Sequence, residues 1–89
     1  QPSAYQLHQN FPNPFNPSTK ISFDLPVRSD VKLSVFNMLG QEVATLANGS
    51  YEAGSHSVQF DASDLTSGIY LYRLNAGNYT ATGKMSLVR

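Results

Sequence analysis

Large apolar side chains recur at every second position in several short stretches of this chain, with polar residues between them. A period of two is the pattern of a strand that buries one face. Lys20–Leu25 puts Ile21, Phe23 and Leu25 on one side before Pro26 stops it, and Val31–Phe36 does the same with Val31, Leu33 and Val35. His56–Phe60 groups Val58 with Phe60, and Gln41–Leu46 carries Val43 and Leu46 more loosely. The strongest run is Gly68–Asn75, where Ile69, Leu71 and Arg73 alternate with Tyr70, Tyr72 and Leu74. Both of its faces carry bulk, so the pattern predicts a central strand covered on both sides.

Turn residues separate these runs. Asn37–Gly40 reads as a turn, with Gly40 supplying a positive φ that other residues resist, and Ala76–Asn78 makes a hairpin. Asn48-Gly49 is the strongest two-residue hairpin signal in the chain. Asp61–Leu65 predicts a single helical turn capped by Asp61, with Leu65 closing the core. Tyr79–Val88 returns as the last strand, with a break expected at Gly83. Residues 1–19 differ in kind, holding four of the five prolines among asparagines and two phenylalanines. That composition predicts a polyproline-like stretch with turns at the Asn-Pro steps, pinned to the fold by Phe11 and Phe15. The predicted fold is all-β: an immunoglobulin-like antiparallel β-sandwich of six to seven short strands. A linker remnant at 1–6 precedes the domain at 7–89.

Composition narrows the picture. Eighty-nine residues make one small domain, which buries roughly two-thirds of its unfolded surface. The chain has no cysteine, so the sandwich has no disulfide and no zinc-thiolate site. With a formal net charge of zero and 13% charged residues, it lacks the basic patch that nucleic acid or an anionic membrane surface rewards. No apolar run approaches the roughly 20 residues of a spanning helix. The chain opens Gln1-Pro2-Ser3 with neither an initiator methionine nor a signal peptide, so a piece of a longer protein is expected.

Groups that carry chemistry are sparse. His8 and His56 have no carboxylate or second histidine at ligand spacing, and Asp61 with Asp64 lacks the oxygen-rich loop of a calcium site. Ser67-Gly68 lacks the flanking glycine of a nucleophile elbow, and the glycines are spaced for turns, not for a phosphate cradle. No catalytic residue, metal or cofactor is expected. Tyr51 and Tyr79, near turns, keep a sugar-stacking platform open, whereas Tyr70 and Tyr72 predict packing. Arg73 either faces solvent or pairs with Asp24 or Glu42 across the sheet.

Five segments, in order, resemble the type A carboxy-terminal sorting domains of the bacterial type IX secretion system. They are Leu7–Phe23 (LHQNFPNPFNPSTKISF), Val35–Val43 (VFNMLGQEV), Ala53–Phe60 (AGSHSVQF), Leu65–Leu74 (LTSGIYLYRL) and Lys84–Arg89 (KMSLVR). The immunoglobulin-like domain of flagellar hook-capping proteins is a near relative of that family. The resemblance implies a non-catalytic signal at the carboxy terminus of a periplasmic cargo protein, recognised by the outer-membrane translocon. It also implies removal by a sortase-type surface peptidase, cutting in or before Gln1–Gln6, and a secreted or cell-surface destination. The residues it carries over as recognition candidates are Gly68, Tyr70, Arg73, Lys84, Met85 and Arg89. Exposed strand edges allow an edge-strand homodimer. The competing expectation is an accessory carbohydrate-binding or spacer module of a secreted hydrolase.

Overall fold

The computed structural model describes residues 2–89. Seven strands follow one another: β1 (Gln6–Leu7), β2 (Ser18–Leu25), β3 (Ser29–Phe36), β4 (Glu42–Tyr51), β5 (Gly54–Asp61), β6 (Gly68–Ala76) and β7 (Tyr79–Leu87). They build two antiparallel sheets, ordered β1-β2-β5 and β4-β3-β6-β7, and no helix occurs among the described residues. The alternating residues of β2 and β3 do what their period dictates. Ile21, Phe23 and Leu25 from one sheet and Val31, Leu33 and Val35 from the other are buried in a common core. The result is a β-sandwich, as the pattern predicts.

The central strand is corrected in one respect. β6 lies between β3 and β7, but only its Tyr70, Tyr72, Leu74 and Ala76 face is buried; Ile69 and Arg73 are exposed and Leu71 is half-buried. Nothing covers the outer face, so the aliphatic series points to solvent and the aromatic series fills the core.

Two turn expectations also change. Asn48 and Gly49 lie inside β4, paired with Lys32 and Val31. The full-length pairing of β3 with β4, with Ala47 buried opposite Leu33, overrides a local hairpin preference. The hairpin expected at Ala76–Asn78 does form, with Ala76 paired to Tyr79 and Gly77 at φ 58°, the left-handed geometry of such turns. Asp61–Leu65 is not helical. Asp61 Oδ1 accepts the Ser63 N–H at 2.9 Å, and the Leu65 N–H reaches the Ala62 carbonyl at 3.0 Å, which makes an Asx-type turn. The Ser63 hydrogen bonds hold the Asp61 carboxyl below its ordinary pKa.

β7 is continuous through Gly83, and the reason is steric. Gly83 faces Tyr72 across the β6–β7 ladder, and a Cβ there would lie 2.2 Å from Tyr72 Cζ. The glycine makes room for a buried ring; it does not break the strand.

The proline-rich segment is a strap with bends at the Asn-Pro steps, as expected. It bends repeatedly, bridges Lys20 of β2 through Phe11, and bridges Leu87 of β7 through Phe15. Phe15 is buried (2% exposed) against Phe60, whereas the Phe11 ring is 79% exposed and contributes only its backbone. Buried Asn10 fixes the strap's middle. Its N–H donates to the Tyr72 hydroxyl at 3.0 Å, and its amide donates to Thr19 Oγ1 and the Pro12 carbonyl. The Tyr72 hydroxyl in turn donates to the His8 carbonyl at 3.0 Å. Burial raises the Tyr72 pKa, with the Asn10 N–H pulling the other way. Tyr5 stacks on Tyr79 at 5.3 Å and bonds Ser29 through its hydroxyl, and Gln6 pairs with Asp24. The ordered sandwich therefore already includes residues 5 and 6.

Candidate functional site

The six recognition candidates fall into three environments. Gly68, Tyr70 and Met85 belong to the framework. Gly68 pairs with Leu87 at the start of β6, Tyr70 pairs with Met85, and both of the latter side chains are buried. The Tyr70 hydroxyl donates to the Thr66 carbonyl at 2.7 Å, which fixes the approach to β6. A partner cannot touch Tyr70 or Met85 while the sandwich is intact.

Arg89 is spoken for by the fold. Its Nη1 lies 3.1 Å from the Ala62 carbonyl oxygen and 2.8 Å from those of Ser63 and Leu65. Its backbone N–H donates to Ser67 Oγ at 3.2 Å. The guanidinium thus ties the chain's last residue to the backbone of the β5–β6 connection.

Much of the β7 edge is also covered. The Phe15 N–H donates to the Ser86 carbonyl at 2.9 Å and the Val88 N–H to the Phe15 carbonyl at 3.0 Å. Asn13 Oδ1 accepts the Ser86 N–H, and the Gln9 amide donates to the Lys84 carbonyl. From the Lys84 carbonyl to the Val88 N–H the strap engages backbone groups of this edge, which protects an edge that would invite pairing.

Arg73 and Lys84 are the exposed candidates, and both lie on the outer face of the larger sheet. Arg73 takes the solvent-facing alternative. Its guanidinium carbon sits 4.6 Å from the centroid of Phe36, a cation–π geometry. Asp24 is engaged with His8 at 2.9 Å and Glu42 with Lys32 at 3.8 Å. In the β6–β7 ladder Leu71 opposes Lys84 and Arg73 opposes Thr82.

This face changes character along its length. Lys32, Asn75 and Thr80 make its polar end, whereas Phe36, Ile69 and Leu71 make the other end apolar. The turn after β3 adds Met38 (65% exposed) and Leu39 (84% exposed), and Val88 follows the end of β7. An open hollow of about 270 Å³ lies between Phe36, Gly40, Leu71, Arg73 and Thr82. Sequence reasoning missed Phe36, Met38, Leu39 and Val88. The available signal was two adjacent large apolar residues in a segment that otherwise reads as a turn.

Among the described residues, Ser55, Asp24 and His8 come together, but in an order that does not suit a serine nucleophile. Ser55 Oγ donates to Asp24 Oδ1 at 2.9 Å and His8 Nε2 lies 2.9 Å from Asp24 Oδ2, so the carboxylate stands between serine and imidazole. A serine nucleophile needs the imidazole itself as its base. Burial works to raise the Asp24 pKa, but its hydrogen bonds with His8 and Ser55 and the attraction of His8 leave it below its ordinary value. His56 faces inward, stacked on Phe23 at 5.5 Å and edge-on to Tyr51 at 5.2 Å. Among the described residues, no group of three or more His, Cys, Asp or Glu side chains is arranged to hold a metal ion. The Tyr51 and Tyr79 rings are both occupied by aromatic neighbours.

A family model described as the secretion system C-terminal sorting domain matches residues 9–88. No curated protein matches the chain.

Proposed function

The chain belongs to the family of secretion system C-terminal sorting domains, and from that premise we propose that it is a non-catalytic signal read by the outer-membrane type IX translocon in its folded form. The observation that carries the reading is the match over residues 9–88, nearly the whole sandwich. Burial supports recognition of a folded surface over that of a linear tail. Tyr70 and Met85, at the heart of two signature segments, are inside the core, so those segments reach a receptor only through the shape they hold. The cargo joins on the amino-terminal side, is carried through the periplasm and outer membrane, and stays at the cell surface or leaves it. A sortase-type peptidase removes the domain by cutting before Tyr5, because the stacking of Tyr5 on Tyr79 and the pairing of Gln6 with Asp24 withhold extended chain from a protease cleft. The carbohydrate-binding alternative gains nothing from tyrosines whose rings are already packed against neighbours.

The test is export of a periplasm-directed fluorescent protein carrying this chain at its carboxy terminus, in two strains that differ only in the translocon channel. The fusion is expected on the surface or in the medium of the first strain and in the periplasm of the second. Retention in both strains, with the domain resistant to protease, contradicts the proposal, and so does export from both. Deleting Lys84–Arg89 is a poorer test, because it strips the buried Met85 and Leu87 from the core.

A further inference from the structure

The two outer faces of the sandwich are unlike each other. On the smaller sheet the outward positions of β2 and β5 are Lys20, Ser22, Asp24, Ser55, Ser57, Gln59 and Asp61, polar throughout, as a solvated face should be. The larger sheet breaks that rule at one end only. Ile69 lies on that end, Met38 and Leu39 occupy the turn that follows β3 there, and Val88 follows the end of β7; these are four of the six large apolar side chains exposed among the described residues. Scattered exposed aliphatics are ordinary, but a concentration of them marks a contact surface.

Charge sets the character of the contact. Arg73 and Lys84 lie beside the apolar end, and among the described residues neither makes an ion pair. Glu42, opposite Phe36, is held by Lys32 and the Thr45 hydroxyl. The chain is neutral overall, so this pair of free cations is a local feature of the face. A second copy docked here by two-fold symmetry would bring two Arg73 and two Lys84 side chains into one interface without a carboxylate to offset them, which disfavours self-association through this surface.

We propose that the apolar end of the outer β3-β6-β7 face, centred on Ile69 and Leu71 and flanked by Arg73 and Lys84, is the docking surface for a partner protein that presents an apolar anchor ringed by carboxylates. The hollow between Phe36, Leu71 and Thr82 receives the anchor, and Arg73 and Lys84 meet the acidic rim. The proposal rests on the sorting-signal reading and specifies where on the domain that reading acts.

The experiment measures export of the same reporter fusion carrying Arg73→Glu with Lys84→Glu. A control carries Lys20→Glu on the opposite sheet. Because Arg73 packs on Phe36, Lys84→Glu alone is the second variant, at an exposed position, and thermal midpoints establish that each variant folds. The double reversal is expected to cut export by about tenfold or more and Lys84→Glu alone by a smaller factor, with the control unchanged. Export of both variants at the wild-type level overturns the surface while leaving the sorting reading intact. Retention of the wild-type fusion brings down the sorting reading, and this surface with it. Sedimentation of the wild-type fusion with phosphatidylglycerol vesicles, abolished by the double reversal, identifies a lipid partner and overturns the protein one. A wild-type dimer that the reversal dissociates overturns it in favour of a second copy.

Discussion

Replacing Gly83 with alanine is expected to destabilise the domain by about 3 kcal/mol, the upper part of the range for overfilling a packed core. For a domain of this size that lowers the thermal midpoint by roughly 12–24 °C. The methyl carbon would lie 2.2 Å from Tyr72 Cζ and 2.4 Å from its hydroxyl oxygen, far inside contact distance. Tyr72 has nowhere free to go. It is fully buried, and its hydroxyl holds the strap through the Asn10 N–H and the His8 carbonyl. A shifted ring loses both bonds and leaves a buried amide unpaired, a penalty of about 1–3 kcal/mol in itself. Combining Gly83→Ala with Tyr72→Leu checks the mechanism. With the ring removed, the further effect of the alanine should shrink to about 0.5 kcal/mol or less. An unchanged midpoint in the single variant, or a full alanine effect in the Tyr72→Leu background, contradicts the steric account.

The second large effect separates two phenylalanines four residues apart. Phe15→Ala is expected to cost about 3–5 kcal/mol, the usual range for emptying a buried aromatic site. Phe11→Ala should stay within about 0.5 kcal/mol, as an exposed side chain does. Phe15 is buried against Phe60, whereas Phe11 contributes to the ladder only through its backbone bonds to Lys20. Denaturant unfolding measures both. Amide exchange then locates the damage, because the Ser86 and Val88 N–H groups are bonded to Asn13 and Phe15 of the strap. Their protection should collapse in the Phe15 variant and persist in the Phe11 variant. Equal costs at the two positions would mean that the strap is not anchored where the packing indicates.

What the sequence made legible follows from where period-two patterning is strong. β2 and β3 alternate cleanly, and the apolar residues the alternation selects are buried, although Ser34, between Leu33 and Val35, is buried as well. β6 was legible as a strand but not in its orientation. Its two faces are Ile69/Leu71 and Tyr70/Tyr72/Leu74, and hydropathy alone cannot tell a strand covered on both sides from one with an apolar outer surface. Asn48-Gly49 misled because turn preference is local, while the pairing of β4 with β3 is a long-range term that outweighs it. The strap is aperiodic, so nothing in its composition distinguishes Phe15 from Phe11. For the candidate site, Gly68, Tyr70 and Met85 were marked by resemblance, and resemblance does not separate residues that hold a fold from residues that a partner touches. The apolar end of the outer face arises from β3, its turn, β6 and the end of β7 together, and only the register of those strands brings the parts into one place.

Contact inside the cell tests the recognition of this domain most directly. The reporter fusion would carry a photo-crosslinking residue at Ile69 on the outer face of the larger sheet or at Ser57 on the outer face of the smaller one. Irradiation during export, followed by mass identification of the adducts, is expected to join the Ile69 version to a translocon component and to leave the Ser57 version free. An adduct from Ser57 alone, or none from either position while the fusion is being exported, would contradict a signal read from the folded sandwich at this surface.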